Sequence, residues 1–420
     1  MDRKILKNVL ISVSVCLLLF SNIPKISATD FETKAEAAIL VDYETGKILF
    51  EKNANEVLPP ASMSKMMTEY IILEAIENGK LNWDTKTKIS DYGYWISTNN
   101  DFSGIALNKD IEYSVKDLFH GLAVYSDNAA VITLLELISD SETEYLDVMA
   151  EKAEELGLTS STFVNATGIN NESLEGRHPK GTDPKATNQM TARDLAVLGY
   201  RLITDYPEIL EIANQPEIDF HGVTLLNYNW MLKHDSPYLS QFYYEGVDGI
   251  KTGSSSESGY SYTSTVERDG QRYLAVVMKT DNEGDHFRET KKIYDYAYNN
   301  FVKEKIDLNK YAEELPIENG KKTDIKVHFN DKINLPINKN IKQDYEIDYQ
   351  LSNHEETLEA PIEKDTVIGT ATLRNKTADK YDYLLPEFAD NQEVNVYAAE
   401  EVDKKSYFLK LKQAFFSLFS

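Results

Sequence analysis

The chain has 420 residues, enough for two domains of ordinary size, and its 42% hydrophobic and 27% charged content is that of a globular protein rather than a disordered one. Its formal net charge is −25, from 44 basic and 69 acidic residues. Phosphate backbones repel so acidic a chain, which excludes nucleic acid as an expected partner.

Residues 1–28 read as a secretory signal peptide. Arg3, Lys4 and Lys7 lead into an apolar stretch, Val9 to Phe20, that is short for a membrane span, and Ala28 offers a small residue for cleavage. The single cysteine, Cys16, falls inside that stretch, so the mature chain is expected to hold no disulfide and no reactive thiol. From Ala37 two β-rich apolar runs flank Asp42 to Gly46, a hairpin signal. Pro59 and Pro60 punctuate, and Met63 to Ile76 then carries apolar residues at helical spacing, ending near Gly79. Capping boxes at Ser114–Asp117 and Thr191–Asp194 announce two further helices. Strands are expected at Gly249–Gly253, Tyr260–Val266 and Tyr273–Met278, the last two joined by an Asp269-Gly270 turn, before a closing helix from Arg288 to Phe301. Strands at both ends with helices between them predict one mixed α/β domain over residues 30–303.

Beyond Lys305 the composition shifts to short alternating segments, at Asp324–Phe329, Tyr345–Leu351, Thr366–Leu373 and Glu393–Ala398, parted by Asn, Pro, Gly and Asp. This predicts a separate all-β, sandwich-like domain over 305–400 that lacks a concentration of catalytic residue types. Residues 403–420 are different again. Phe408, Leu411, Phe415 and Leu418 share one helical face and Lys404, Lys405, Lys410 and Lys412 flank it, the pattern of an amphipathic helix lying in a membrane surface.

Three short motifs carry the chemistry. Ser62-Met-Ser-Lys65 opens the first long helix, Ser126-Asp127-Asn128 stands between two helical segments, and Lys251-Thr252-Gly253 lies on a strand. A serine hydroxyl needs a nearby base, and residues three apart share a helix face, so Lys65 can reach Ser62 while Ser64 points elsewhere. Lys65 must be neutral to act as that base, which calls for burial and a neighbouring positive charge; Lys251 can supply the charge. Helix-start amides near Ser62 favour the oxyanion. Ser126 is placed to relay a proton between the lysines and a leaving amine, and Asn128 to hold a substrate amide. The strand can bind a peptide in β-fashion, with Gly253 clearing space and Lys251 and Thr252 receiving a carboxylate, which points to a substrate with a free C-terminus.

The three motifs together resemble those of penicillin-binding proteins and serine β-lactamases. Pro59-Pro-Ala-Ser-Met-Ser-Lys-Met-Met-Thr68, Phe163-Val-Asn-Ala-Thr-Gly168, Gly246-Val-Asp-Gly-Ile-Lys-Thr-Gly253 and Ala360-Pro-Ile-Glu-Lys-Asp-Thr-Val-Ile-Gly369 narrow the resemblance to the low-molecular-weight D-alanyl-D-alanine carboxypeptidases, peptidase family S11. The resemblance implies an α/β (α+β) catalytic domain of the serine β-lactamase/transpeptidase type, followed by the small β domain and a C-terminal anchor. It also implies removal of the terminal D-alanine from peptidoglycan stem peptides ending in D-Ala-D-Ala, acylation of Ser62 by β-lactam antibiotics, and an oxyanion hole made by the N–H groups of Ser62 and Ser254. The protein is then expected at the outer face of a bacterial cytoplasmic membrane. One departure stands out: many relatives have Gly where this chain has Asp127, a form that resembles the β-lactamases.

Two alternatives stay open on these grounds. A class A β-lactamase would need a glutamate for the deacylating water, and Glu172 and Glu175 are the candidates, outside the usual Glu-x-x-Leu-Asn pattern. A catalytically silent wall-binding protein would have no need of the intact Ser62, Lys65, Ser126, Asn128 and Lys251. No cofactor is expected. No metal is either, since His120, His178, His221, His234, His286, His328 and His354 are scattered without a His-x-x-x-His pair, each expected to be solvated or satisfied.

Overall fold

The computed structural model describes residues 31–353, 357–376, 382–390 and 392–406. The signal-peptide reading of 1–28 and most of the anchor reading of 403–420 lie outside those residues.

The apolar runs around Gly46 form strands β1 (Ala37–Asp42) and β2 (Ile48–Lys52). The later strands are β3 (Val247–Ser255), β4 (Gly259–Arg268) and β5 (Gln271–Thr280). They make one antiparallel sheet in the order β2-β1-β5-β4-β3, so the first strand inserts beside the last. Asp269 and Gly270 both have positive φ, +52° and +73°, as a two-residue primed turn requires. Every residue of β1 is buried, because helices cover both sheet faces there.

Between β2 and β3 lie helices α1 (Lys65–Glu77), α2 (Val115–Tyr125), α3 (Asn128–Leu135) and α4 (Ala192–Asp205), and α5 (Asp285–Asn300) closes the domain. The capping box at Ser114 is complete. The one expected at Thr191 is half formed. Thr191 accepts the Asp194 amide, but the Asp194 carboxylate takes the Ser160 amide and the Ser161 hydroxyl instead, both at 2.9 Å. It ties a loop to the helix rather than closing the box.

A second core belongs to the C-terminal β domain, with Leu308, Ile325, Leu335, Val396 and Ala398 among its members. Strand β6 (Phe301–Asp307) follows α5 directly and pairs with β7 (Lys332–Asn338), while β8 (Tyr345–Leu351), β9 (Val367–Asn375) and β10 (Val394–Ala398) belong to a four-stranded sheet. The domain runs past residue 400. Val402 pairs with Ile362 and Lys404 with Gly320, so residues 403–406 extend the β domain and the proposed helix does not begin at 403.

The β domain is also less separate than its composition suggests. Leu384, Leu385 and Phe388 pack into the core of the catalytic domain, not into their own. Leu384 donates its amide to the Gly46 carbonyl, Asp382 and Glu387 pair with Arg193 and Arg201, and Phe388 meets Tyr200 edge-on at 5.0 Å. Gly46 has φ +65°, and a Cβ there would lie 2.0 Å from the Phe388 ring, so turn and plug fit only as glycine against phenylalanine. Phe388→Ala should therefore lower unfolding stability by about 3–4 kcal/mol while leaving the reactivity of Ser62 in the folded protein intact. Denaturant unfolding reads this, and a loss under ~1 kcal/mol would show the plug to be peripheral.

Candidate active site

Ser62 sits in a single 3-10 turn, Ala61–Ser64, that runs straight into α1. Residues i and i+3 eclipse one another in such a turn, which brings the Lys65 Nζ to 2.7 Å from the Ser62 Oγ. Ala61 has φ +47°, a left-handed conformation that costs a residue with a Cβ, and it marks the turn as held in place by its surroundings. Ser64 is fully buried and committed: its hydroxyl donates to the Ala61 carbonyl at 2.8 Å and accepts from Asn188 at 2.9 Å. Of these two serines, Ser62 lines the cleft and Ser64 does not.

Lys65 has no solvent exposure. Burial first, and the charge of Lys251 second, push its amine well below the ordinary lysine range, against the opposing pull of Asp127 and Glu69. Lys251, on β3, is likewise buried and is lowered to about 8 by burial, with Glu69 opposing.

The second motif links two helices. Ser126 caps the C-terminus of α2 with φ +58°, which turns its side chain into the cleft, where its buried Oγ has no hydrogen-bond partner among the described residues. Asp127 caps α3: one carboxylate oxygen accepts the Ala129 and Ala130 amides and the other the Ile105 amide, at 2.8, 3.2 and 3.2 Å. Asp127, in the middle of the second motif, is therefore a helix cap and loop anchor. Burial raises it to about 6 despite those bonds. Asn128 spends its Nδ2 on the carbonyl and hydroxyl of Ser103, at 2.7 and 3.0 Å, and its Oδ1 has no partner among the described residues. That leaves it able to accept a substrate N–H, not to donate.

On β3 the edge faces the nucleophile turn. A Cβ on Gly253 would lie 2.5 Å from the Pro60 carbonyl and 3.1 Å from the Met63 amide, so strand and turn are pressed together at that point. Side chains two apart on a strand share a face, so Lys251 points to the same side, toward α1. Ser62, Ser126, Thr252, Gly253 and Ser254 line one cleft of about 300 Å³. Lys65, Asn128 and Lys251 stand behind it, buried.

The cleft also holds residues that the motifs do not reveal. Ser103 lines it and orients Asn128. Tyr228, Trp230, Tyr260 and Phe287 give it an aromatic wall. His286 is not solvated or satisfied as expected: it is buried in the cleft wall, lies near-parallel to Tyr260 at 5.7 Å, and its Nδ1 has no partner among the described residues. Burial lowers it to about 3, so the ring is neutral. Glu69 is buried one turn beyond Lys65. Its i+4 spacing from Lys65 was the only signal in the sequence. Glu172 and Glu175 are exposed and do not line the cleft, so neither is placed to hold a deacylating water. Among the described residues no three His, Cys, Asp or Glu side chains converge as a metal site, and no helix is long and apolar enough to cross a membrane.

Comparison with known proteins matches both domains to one family. The sequence model of the D-alanyl-D-alanine carboxypeptidase family matches residues 24–282, and that of the C-terminal domain of penicillin-binding protein 5 matches 303–404. The chain is 29% identical over 347 residues to the D-alanyl-D-alanine carboxypeptidase DacF of Bacillus subtilis, covering 81% of this chain and 82% of that one. Among solved structures it resembles a peptidoglycan synthesis regulatory factor (PBP3) of Streptococcus pneumoniae, with a TM-score of 0.71 and 31% identity over 89% of this chain and all of that one. It also resembles penicillin-binding protein D2 of Listeria monocytogenes in its ampicillin-bound form, with a TM-score of 0.54 and 29% identity over 64% of this chain and 99% of that one. With a family match across most of the catalytic domain and a second match across the β domain, the chain belongs to the D-alanyl-D-alanine carboxypeptidases of peptidase family S11.

Proposed function

We propose that this protein hydrolyses the terminal D-Ala-D-Ala bond of peptidoglycan stem peptides through an acyl-enzyme on Ser62, and that β-lactams trap it at the same serine. The observation that carries the reading is the 2.7 Å approach of a fully buried Lys65 amine to the Ser62 hydroxyl. In its neutral form Lys65 accepts the Ser62 proton as Oγ attacks the penultimate D-alanine carbonyl. The N–H groups of Ser62 and Ser254 stabilise the oxyanion. Ser126 passes the proton to the departing D-alanine amine, and Lys251 and Thr252 hold the substrate's C-terminal carboxylate. The Asn128 Oδ1 accepts a substrate amide N–H, and β3 offers its edge to the peptide backbone. Water then attacks the ester, with Lys65 again taking the proton, and releases the shortened peptide. A β-lactam ring opened by the same attack keeps its amine tethered, which accords with the ampicillin complex of the Listeria monocytogenes relative.

Export through residues 1–28 and attachment of the C-terminal segment to the membrane surface would bring this cleft to the cell wall; the composition of both segments supports that placement. The decisive measurement is release of free D-alanine from an N-acylated L-Lys-D-Ala-D-Ala peptide, together with intact-mass analysis after penicillin G. One D-alanine per peptide and a persistent adduct on the peptide containing Ser62 are expected. Rapid turnover of a chromogenic cephalosporin without a persistent adduct would instead mark a β-lactamase. Neither release nor adduct would mark a silent binding protein.

A further inference from the structure

Ser62, Lys65 and Glu69 stand at i, i+3 and i+7, one stripe along the 3-10 turn and the first turn of α1. Lys251 enters from β3, on the strand face that meets the same turn at Gly253. Glu69 is 1% exposed, its Oε1 has no hydrogen-bond partner among the described residues, and it does not line the cleft. A carboxylate buried without a full set of hydrogen bonds is costly unless a charge nearby compensates it. The charged groups that act here are few. Lys65 lies on Glu69's own helix and Lys251 on the facing strand, and both favour its ionised form, Lys251 the more. Asp127 acts on Lys65 from α3, but its own charge is met by three backbone amides. Asp127 pulls on Lys65 more strongly than Glu69 does, so the distinct partner of Glu69 is Lys251, whose charge Glu69 alone opposes losing.

We propose that Glu69 is a positioning residue of the acyl-transfer site, whose buried carboxylate holds an ammonium on Lys251 and so lets Lys65 remain the free base. With Glu69 ionised and Lys251 charged, the three groups carry no net charge while Lys65 is neutral. The charge so kept on Lys251 lowers the Lys65 amine more than the Glu69 carboxylate raises it. Glu69 thus keeps the two lysines in different states, one to receive a carboxylate and one to take a proton. It touches neither substrate nor the Ser62 hydroxyl. The inference rests on the acyl-transfer reading given above.

The sign of the effect follows from the direction of each shift. Burial raises Glu69 to about 7, and the ionised carboxylate opposes the loss of the Lys251 proton near pH 8. Below pH 7 Glu69 holds a proton and glutamine is a close mimic, so wild type and Glu69→Gln should have similar kcat/KM for D-alanine release. Above pH 7 the profiles should part. The variant loses the Lys251 proton earlier, its alkaline limb moves about one unit toward acid, and at pH 9 it should be about tenfold less active than wild type. Glu69→Asp keeps the charge and should restore most of the limb. A Gln profile of wild-type shape, whether equal or uniformly lower, would overturn the proposal. Should the glutamine variant fail to fold, the aspartate variant decides alone: a limb at the wild-type position supports the role of charge, and a loss equal at every pH refutes it. Wild-type protein that releases no D-alanine at any pH would sink the acyl-transfer reading itself, a result distinct from either.

Discussion

Ser62→Ala, Lys65→Gln and the double variant should each lower kcat/KM for D-alanine release by a similar factor, on the order of 10⁴ or more. The two side chains act as a unit. A hydroxyl without its base attacks slowly, and the base without the hydroxyl has nothing to deprotonate. What remains in all three is substrate binding and oxyanion stabilisation, neither of which uses either side chain. Penicillin labelling separates the two roles: Ser62→Ala should give no adduct, and Lys65→Gln the same adduct formed slowly. Ser64→Ala should still label on Ser62, because Ser64 is tied to Ala61 and Asn188 and faces away from the cleft. None of these losses should come from unfolding. Removing the Lys65 amine deletes a buried ionisable group, so Lys65→Gln should melt within a few degrees of wild type. Labelling of Lys65→Gln within tenfold of the wild-type rate would remove Lys65 from the base role. A double variant whose loss equals the product of the single losses would show that the two act independently.

The parts of the site that are legible in the sequence are those written in short-range spacing. Ser62 with Lys65, the Ser126–Asn128 link between helices and the Lys251–Gly253 strand each occupy a few consecutive residues whose local structure is set by caps, periodicity or β-pattern. What holds them is long-range and leaves no such trace. Glu69 gains its meaning from Lys251, on a strand far along the chain, and His286, on α5, from Tyr260 on β4. Asp127 reads as a substitution in a motif; only the amides of Ala129, Ala130 and Ile105 show it to be a cap. The same division holds for the fold. The Asp269-Gly270 hairpin and the helices of the catalytic domain follow from local pattern. Strand β6 escapes notice because Val302 to Lys305 are all exposed, which breaks the alternation, and β7 because Pro336 argues against a strand interior. Residues 382–390 are a short, mostly apolar stretch around Pro386, and nothing local says that Leu384 and Phe388 will enter the other domain's core.

Gly168→Ala should be the most damaging single methyl group near the site. Gly168 ends Phe163-Val-Asn-Ala-Thr-Gly168, whose Asn165 side-chain Oδ1 accepts from the Thr167 amide, the Thr167 hydroxyl and the Gly168 amide, at 3.1, 2.9 and 2.7 Å. The result is a rigid loop laid against the nucleophile turn. A Cβ on Gly168 would lie 2.1 Å from the Ala61 carbonyl oxygen and 3.2 Å from the Ser62 amide nitrogen. Both are backbone atoms of a turn already strained at Ala61, so the collision cannot be relieved by a rotamer change. The φ of +80° adds about 1 kcal/mol for any residue other than glycine. Together these predict a stability loss of roughly 2–4 kcal/mol. They also predict a fall of about 10²-fold or more in penicillin acylation, because a shift of ~1 Å in a nucleophile has that effect. Gly270→Ala is the matched control: its φ is +73° and nothing lies within 4 Å of the added methyl. It should incur the backbone cost alone, ~1 kcal/mol, with acylation unchanged. Equal melting temperatures and equal acylation rates for the two variants would mean that the loop does not brace Ser62. A large acylation defect confined to Gly168→Ala would make the loop the support that holds Ser62 within reach of Lys65.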